Sequence, residues 1–199
     1  MEFFKDSVKE IITSASYAVE NINAEDLEKF IAILIEAKND GKKVLVMGAG
    51  RSGLVSRAFA MRLMHLYYNV YVIGETITPA VEKDDILLGI SGSGETTIVV
   101  AAAKIAKDAG ARIVAVTSFP ESPLGKLADH SVVLLGRTKV DGKKDYFSRQ
   151  ILGVHEPLAP LGTMFEVSSA IFLDALIVEL MHKLGKTEQE MKKRHATIE

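Results

Sequence analysis

The chain has 199 residues, a formal net charge of -2 at pH 7 and no cysteine, which excludes disulfides, thiolate metal sites and cysteine nucleophiles. The small net charge argues against nucleic acid or an acidic membrane as a partner. The length and mixed composition suit a single domain. Because the first residues lack the pattern of a signal peptide and no apolar run approaches about 18 residues, we expect a cytoplasmic protein.

Two amphipathic helices are predicted before the first strand, in an N-terminal extension formed by residues 1–42. Apolar residues three or four positions apart indicate a helix from Phe4 to Ile22. Asn23, followed by Asp26, provides a cap for a second helix. The sequence leaves open whether these helices cover the sheet or a neighbouring subunit.

Residues 43–135 alternate short apolar runs with helical segments, which is typical of an α/β fold with a parallel sheet covered on both faces. The five predicted strands are Val44–Met47, Val70–Ile73, Ile86–Ile90, Arg112–Thr117 and Ser131–Leu135. The predicted helices between them run from about Arg51 to His65, Ile98 to Ala109 and Ser122 to Ala128. Ligands bind at the carboxyl ends of such strands, where this sequence has two glycine-rich turns.

The last third of the chain begins with a segment, residues 136–160, that has no clean period and is too long for an ordinary connection. We interpret it as a mobile lid or as an arm between subunits. C-terminal helices are expected over residues 161–199. Thr163 opens the longest one, which is nearly apolar all round as far as Gly185 and is therefore expected to be deeply buried. Thr187 and Glu190 have the spacing of a capping box for a last short helix.

The turn from Ser91 to Thr97 has the composition of an anion site. Its glycines and hydroxyls crowd the start of a helix, where free backbone N–H groups carry partial positive charge. Phosphate is the most natural ligand for such a turn. The alternative is that Ser93 only caps the helix, with Thr96 as its partner, and the residues alone leave both interpretations open.

The first glycine-rich turn, Gly48-x-Gly50-x-x-Gly53, also meets the spacing of a dinucleotide fingerprint, with Glu75 at the end of the next strand. A nicotinamide enzyme is therefore the natural competitor. Polar Arg51 and Ser52 in this turn, and a second anion turn after the third strand, favour one compact ligand that contacts both turns.

Several segments, taken in order, resemble a known family. The two turns and the helix after Thr163 are similar to the sugar isomerase (SIS) domain, whose members bind phosphorylated sugars. The 6-phospho-3-hexuloisomerases within that family share further segments with this chain. Those segments are Ala60–Leu66, Gly74–Pro79, Gly162–Glu166 and Lys193–Ala196. The resemblance implies a three-layer sandwich around a five-stranded parallel sheet, preceded by the two N-terminal helices.

The same resemblance implies an activity. The family interconverts D-arabino-hex-3-ulose 6-phosphate and fructose 6-phosphate through an enediolate, a step of formaldehyde fixation by the ribulose monophosphate route. Neither a metal nor a redox cofactor is required. We expect a small-molecule sugar phosphate as the ligand and a homo-oligomer, with a tetramer as the expected state and active sites at subunit boundaries.

Two alternatives belong to the same resemblance. One is another SIS aldose–ketose isomerase, such as one that acts on arabinose 5-phosphate, and the other is a non-catalytic sugar-phosphate sensor. A sensor would normally carry a DNA-binding domain, whereas residues 1–42 predict two helices without a basic recognition face. We therefore expect an enzyme.

The resemblance and the two turns together assign residues to the ligand. The predicted substrate- and phosphate-binding residues are Gly50, Arg51, Ser52, Ser91, Gly92, Ser93, Gly94, Glu95 and Thr96.

Three residues are candidates for the chemistry. Glu166 is implied as the base that moves the proton, although Thr163-x-x-Glu166 also has the spacing of a capping box. His65 is a candidate to polarise the carbonyl or to shuttle a proton, and a packed polar group at a helix end is its alternative. Related sugar isomerases supply a histidine from an adjacent subunit, so His195 is held as an alternative to His65.

Overall fold

The computed structural model describes residues 1–136 and 158–195. Its helices are α1 Glu2–Glu20, α2 Ala24–Asn39, α3 Gly50–His65, α4 Thr97–Asp108, α5 Pro123–Leu127, α6 Thr163–Lys183 and α7 Glu188–Lys192. Its strands are β1 Lys43–Gly48, β2 Asn69–Val72, β3 Ile86–Ile90, β4 Arg112–Thr117 and β5 His130–Val133. The predicted strands and helices of this part of the chain are confirmed, with ends that differ by one or a few residues.

The five strands form one parallel sheet in the order β2-β1-β3-β4-β5. All five residues of β3 are buried, as expected for a central strand covered on both faces. After β1 the chain forms β2 at one edge of the sheet, and after β3 it continues through β4 to β5 at the opposite edge. A crevice therefore opens between the carboxyl ends of β1 and β3, at the point where the winding direction reverses.

Alternate residues of the strands pack into two separate hydrophobic cores, one on each face of the sheet. Ile86 and Leu88 of β3 face a core that they share with α2, α3 and α6, while Leu87 faces a smaller core with α4 and α5. Helices on both faces of one sheet form the three-layer sandwich that the sequence predicted.

Both N-terminal helices pack on their own chain, α2 on the sheet and α1 on α6. α2 contacts β1, β5 and α6, and α1 packs along α6. α6 in turn buries Phe172, Leu176 and Leu180, but Ile171 and Val178 on another side are 48% and 65% exposed. The deep burial expected for α6 therefore applies to one side of the helix within this chain.

The lid or arm predicted at residues 136–160 lies, apart from its ends, outside the described residues. None of the helices in the described part of the chain is long and apolar enough to cross a membrane.

Candidate active site

A cavity of about 380 Å³ opens at the carboxyl ends of β1 and β3. Three segments line it: the turn after β1, the turn after β3 and the start of α6. The lining residues are Ala49, Gly50, Arg51, Ser52, Ile90, Ser91, Gly92, Ser93, Thr96, Gly162, Phe165 and Glu166. Most of the predicted binding residues therefore meet there, together with the predicted base. Gly94 is buried behind this surface and Glu95 is exposed, and neither lines the cavity.

The first wall is a tight strand-to-helix turn whose backbone needs glycine. A Cβ atom on Gly48 would lie 2.6 Å from the carbonyl oxygen of Ser52, and one on Gly53 would lie 3.0 Å from the carbonyl oxygen of Gly48. Gly50, the first residue of α3, has a φ of 56°. This close packing aims the first turn of α3, with Arg51 and Ser52, at the cavity.

The second wall is the serine turn, which is held by its own hydroxyls. The Oγ of Ser91 accepts the N–H of Gly94 at 3.1 Å and lies 2.9 Å from Oγ1 of Thr96. The Oγ of Ser93 accepts the N–H of Glu95 at 3.2 Å. The residue at the helix N-cap is Thr96, so the alternative that Ser93 caps the helix is wrong.

Three helices point their N-termini at this cavity. Their N-cap residues are Ala49 for α3, Thr96 for α4 and Gly162 for α6. None of these three side chains accepts a hydrogen bond from the N–H groups of its helix. N–H groups at helix starts carry partial positive charge and are satisfied by side chains, water or ligands. Three uncapped starts around one cavity form a site that favours an anion.

The third wall carries Glu166 in the first turn of α6. The N-cap of this helix is Gly162, with a φ of 95°, and Thr163 is already helical. The capping box suggested by Thr163-x-x-Glu166 is therefore wrong, because the chain enters the helix through a left-handed glycine. Gly162 also leaves room for the carboxylate, since a Cβ atom there would lie 3.2 Å from Oε1 of Glu166.

The Glu166 carboxylate faces Arg51 across the cavity. Nε of Arg51 lies 2.5 Å from Oε2 of Glu166, a close charge contact that lacks the direction of a hydrogen bond. The Glu166 side chain is 15% exposed and that of Arg51 is 55% exposed. Burial raises the pKa of Glu166 above its ordinary value, and the positive charge of Arg51 opposes this rise. A carboxylate with a raised pKa is a stronger base than an exposed one.

The two candidate histidines lie together, away from this cavity. The rings of His65 and His195 stack with their centroids 4.2 Å apart. His65 is buried at the far end of α3, and fifteen residues of helix place it about 22 Å along the axis from Gly50. Neither histidine lines the cavity of its own chain.

Four further residues line the cavity that the sequence motifs did not predict as site residues: Ala49, Ile90, Gly162 and Phe165. Gly162 and Phe165 both lie in the Gly162–Glu166 segment on which part of the resemblance rests. The glycine directly before Thr163-x-x-Glu166 is the sequence signal that could have indicated the true helix start. A left-handed residue at this position makes Gly162 the N-cap in place of Thr163.

Comparisons with known proteins agree with this architecture. The SIS domain model matches residues 39–143. An uncharacterized Aeropyrum pernix protein is 49% identical over 97% of this chain and 91% of its own length. The 3-hexulose-6-phosphate isomerase of Bacillus subtilis is 34% identical over 100% of this chain and 98% of its own.

A solved structure extends the likeness to three dimensions. It is a Methanococcus jannaschii protein for which a molecular function of 3-hexulose-6-phosphate isomerase was inferred from the crystal structure. It superposes with a TM-score of 0.75, at 34% identity, over 100% of both chains.

Proposed function

The chain belongs to the SIS domain family, and we propose that it interconverts D-arabino-hex-3-ulose 6-phosphate and fructose 6-phosphate. One observation carries the proposal: the largely buried carboxylate of Glu166 shares a cavity with three helix starts that lack a capping side chain. An anion site for the substrate phosphate and a base for the proton transfer are the two features that an enzyme for this isomerisation needs. The relatives named as 3-hexulose-6-phosphate isomerases support the choice of substrate.

The substrate phosphate is assigned to the serine turn. Backbone N–H groups at the start of α4 and the hydroxyls of Ser91, Ser93 and Thr96 supply donors, and the helix dipole adds favourable charge. Hydrogen bonds to a charged group contribute roughly 1.5 to 3 kcal/mol each. The turn therefore supplies binding energy and fixes where the sugar lies.

The proton transfer is assigned to Glu166. In the forward direction its carboxylate removes the proton from C2 of the 3-ketose, and the electron pair forms the C2–C3 double bond of an enediolate. The same carboxylic acid then returns the proton to C3, which leaves the carbonyl at C2. Arg51, in contact with the carboxylate, and the N–H groups of α3 lie where negative charge on the enediolate oxygens would be stabilised.

A histidine is assigned to the proton that moves between the two oxygens. His65 lies about 22 Å along α3 from Gly50, His195 stacks on it, and neither lines the cavity of its own chain. We therefore assign this role to the histidine pair of a neighbouring subunit in a homo-oligomer. The tetramer expected from the sequence is one assembly that provides such neighbours.

The test is a coupled assay that offers hex-3-ulose 6-phosphate and follows fructose 6-phosphate, with arabinose 5-phosphate as the control substrate. Glu166→Gln is expected to lower kcat about a hundred- to ten-thousand-fold with little change in KM. Glu179→Gln is the matched control, because Glu179 lies on the same helix but pairs with Lys183 at the surface.

Three outcomes would contradict the proposal. A folded Glu166→Gln variant with nearly full activity would exclude Glu166 as the base. Turnover of arabinose 5-phosphate alone would indicate a different SIS isomerase. If the wild-type protein binds fructose 6-phosphate tightly and turns over neither substrate, it is a sensor and not an enzyme.

A further inference from the structure

The carboxylate of Glu10, on α1, binds the segment that leads into the helix of Glu166. Its Oε2 accepts the backbone N–H of Leu158 at 3.0 Å, and its Oε1 lies 3.4 Å from the N–H of Ala159. Both oxygens of one side chain thus hold two consecutive N–H groups. Charged acceptors make stronger hydrogen bonds than neutral ones, so this contact is suited to fixing backbone position.

The backbone leads from this contact directly into two hydrogen bonds at the start of α6, next to the cavity. The carbonyl of Pro160, next after Ala159, accepts the N–H of Thr163 at 3.1 Å, and the carbonyl of Gly162 accepts the N–H of Glu166 at 3.1 Å. Ala159 itself is 4% exposed, so its position is also fixed by packing. A shift of the segment at Glu10 would therefore be transmitted to the first turn of α6.

Among the described residues, no capping side chain holds the start of α6. Its N-cap, Gly162, has no side chain that could cap the helix. The φ of Gly162 is 95°, a value that residues with a side chain rarely adopt. Glycine loses more conformational freedom on folding than other residues, so a helix that begins there depends on outside contacts for its position. α1 packs along α6 and brings Glu10 to this point.

We propose that Glu10 is a positioning residue for Glu166: by holding Leu158 and Ala159, it sets where α6 begins and where the Glu166 carboxylate lies opposite Arg51. The inference rests on the proposed role of Glu166 as the base. Glu10 does not touch the cavity and takes no part in the proton transfer itself.

The first test measures amide hydrogen exchange in Glu10→Ala and needs no activity. Positioning predicts that protection of the Leu158, Ala159 and Glu166 amides falls at least tenfold, while the Leu176 amide in the middle of α6 keeps its protection. A general loss of stability would lower protection at Leu176 as well, and that result would overturn the proposal. Glu20→Ala is the control, because Glu20 lies on the same helix and, within the described part of the chain, accepts the Ser16 hydroxyl at 2.6 Å and no backbone N–H of the segment before α6.

The second test uses the isomerase assay. Glu10→Ala is expected to lower kcat about ten- to a hundredfold with KM nearly unchanged, since displacements near 1 Å at a reacting group have effects of this size. Glu10→Gln keeps one acceptor oxygen and should fall between Ala and the wild type.

The two tests separate the failure of this proposal from the failure of the proposed function. Unchanged kcat in Glu10→Ala, with an active wild type, would overturn the positioning role. If the wild type itself shows no turnover, the proposed function fails, and the exchange pattern still decides whether Glu10 fixes the start of α6.

Discussion

At the scale of residues, the ion pair between Arg51 and Glu166 sets the properties of the candidate base. Burial raises the pKa of Glu166, and Arg51 limits that rise. Arg51 also lies at the start of α3, where it shares the cavity with the serine turn. A substrate phosphate or enediolate would therefore compete with Glu166 for the same guanidinium.

The first prediction concerns the pH dependence of kcat/KM. A base works only when deprotonated, so the acid limb of the profile follows the pKa of Glu166 in the free enzyme. Because that pKa is raised, the limb should lie above the ordinary value of a glutamic acid, about 4.3. Arg51→Met removes the charge that lowers the pKa, and the limb should move to still higher pH.

The matched control for Arg51→Met is Arg57→Met. Arg57 is on the same helix, is 54% exposed against 55% for Arg51, and pairs with Glu75 outside the cavity. Its removal should leave the acid limb in place. An acid limb that stays in place in Arg51→Met would show that Arg51 does not act on the base.

At the scale of elements, the serine turn depends on a glycine packed against the next helix. Gly94 has a φ of 61°, and a Cβ atom there would lie within 2 Å of Oγ of Ser122, the residue that caps α5. The carbonyl of Gly94 also accepts the N–H of Leu124 at 3.0 Å. The turn is thus supported from behind by α5, on the side away from the cavity.

The second prediction compares Gly94→Ala with Gly41→Ala. Gly41 has nearly the same φ, 66°, but open space around its Cβ position, so it isolates the backbone strain from the clash. Gly41→Ala should lower the free energy of unfolding by about 1 kcal/mol, the cost of a left-handed L-residue. Gly94→Ala should lower it by on the order of 3 kcal/mol and raise KM, because the turn must also move. Equal losses in denaturant unfolding would contradict this account.

The aromatic ring of Tyr67 contacts two cationic side chains of the C-terminal segment. The ring of Tyr67, which has a strained φ of 64°, lies 4.7 Å from the guanidinium carbon of Arg194 and 5.6 Å from Nζ of Lys186. These two cation–π contacts are made next to the stacked pair of His65 and His195. A tyrosine is costly at this positive φ, so we infer that the contacts of its ring offset the backbone strain.

The third prediction is that Tyr67→Gly frees this segment even though glycine relieves the strain at that position. Two exposed cation–π contacts contribute about 1 to 2 kcal/mol together, so trypsin cleavage after Lys192 and Lys193 should be about tenfold faster. Tyr67→Phe keeps the ring and should behave as the wild type. Asp84→Gly, at a φ of 65°, relieves comparable strain without a ring and should not change the cleavage rate.

The elements that sequence reasoning located correctly are those whose signal is local. Alternation of apolar runs with helices fixes β1 to β5, and glycine-rich turns at strand ends fix two walls of the cavity. The helix starts were less predictable, because Ser93 and Thr163 have the right side chains for capping but the chain path assigns the N-cap to Thr96 and Gly162. The contact between Glu10 and Leu158 joins positions 148 residues apart, and no local pattern could indicate it.

At the scale of the whole molecule, the candidate base and the candidate histidines lie at opposite ends of α3. Between them, Leu54 and Met61 are 62% and 49% exposed, seven residues apart and thus on one side of the helix. A second copy packed along this helix in a symmetric arrangement could bring a histidine to the other copy's cavity, which motivates the last prediction.

The fourth prediction is that two inactive variants restore each other's activity. If each site takes Glu166 from one subunit and a histidine from its neighbour, a mixed oligomer of Glu166→Gln and His195→Ala contains some sites with both groups intact. Random mixing in equal amounts should make about one quarter of the sites complete. Co-expression, followed by the isomerase assay, should then give activity far above the sum of the two single variants.

The same mixture with His65→Ala in place of His195→Ala decides which histidine acts, because only variants of the acting residue lose activity alone and regain it in the mixture. A Glu166→Gln homo-oligomer mixed with itself is the control. Activity in the mixtures that only equals the sum of the parts would mean that each site is built within one subunit. In that case the 22 Å between Gly50 and His65 would exclude His65 from the chemistry altogether.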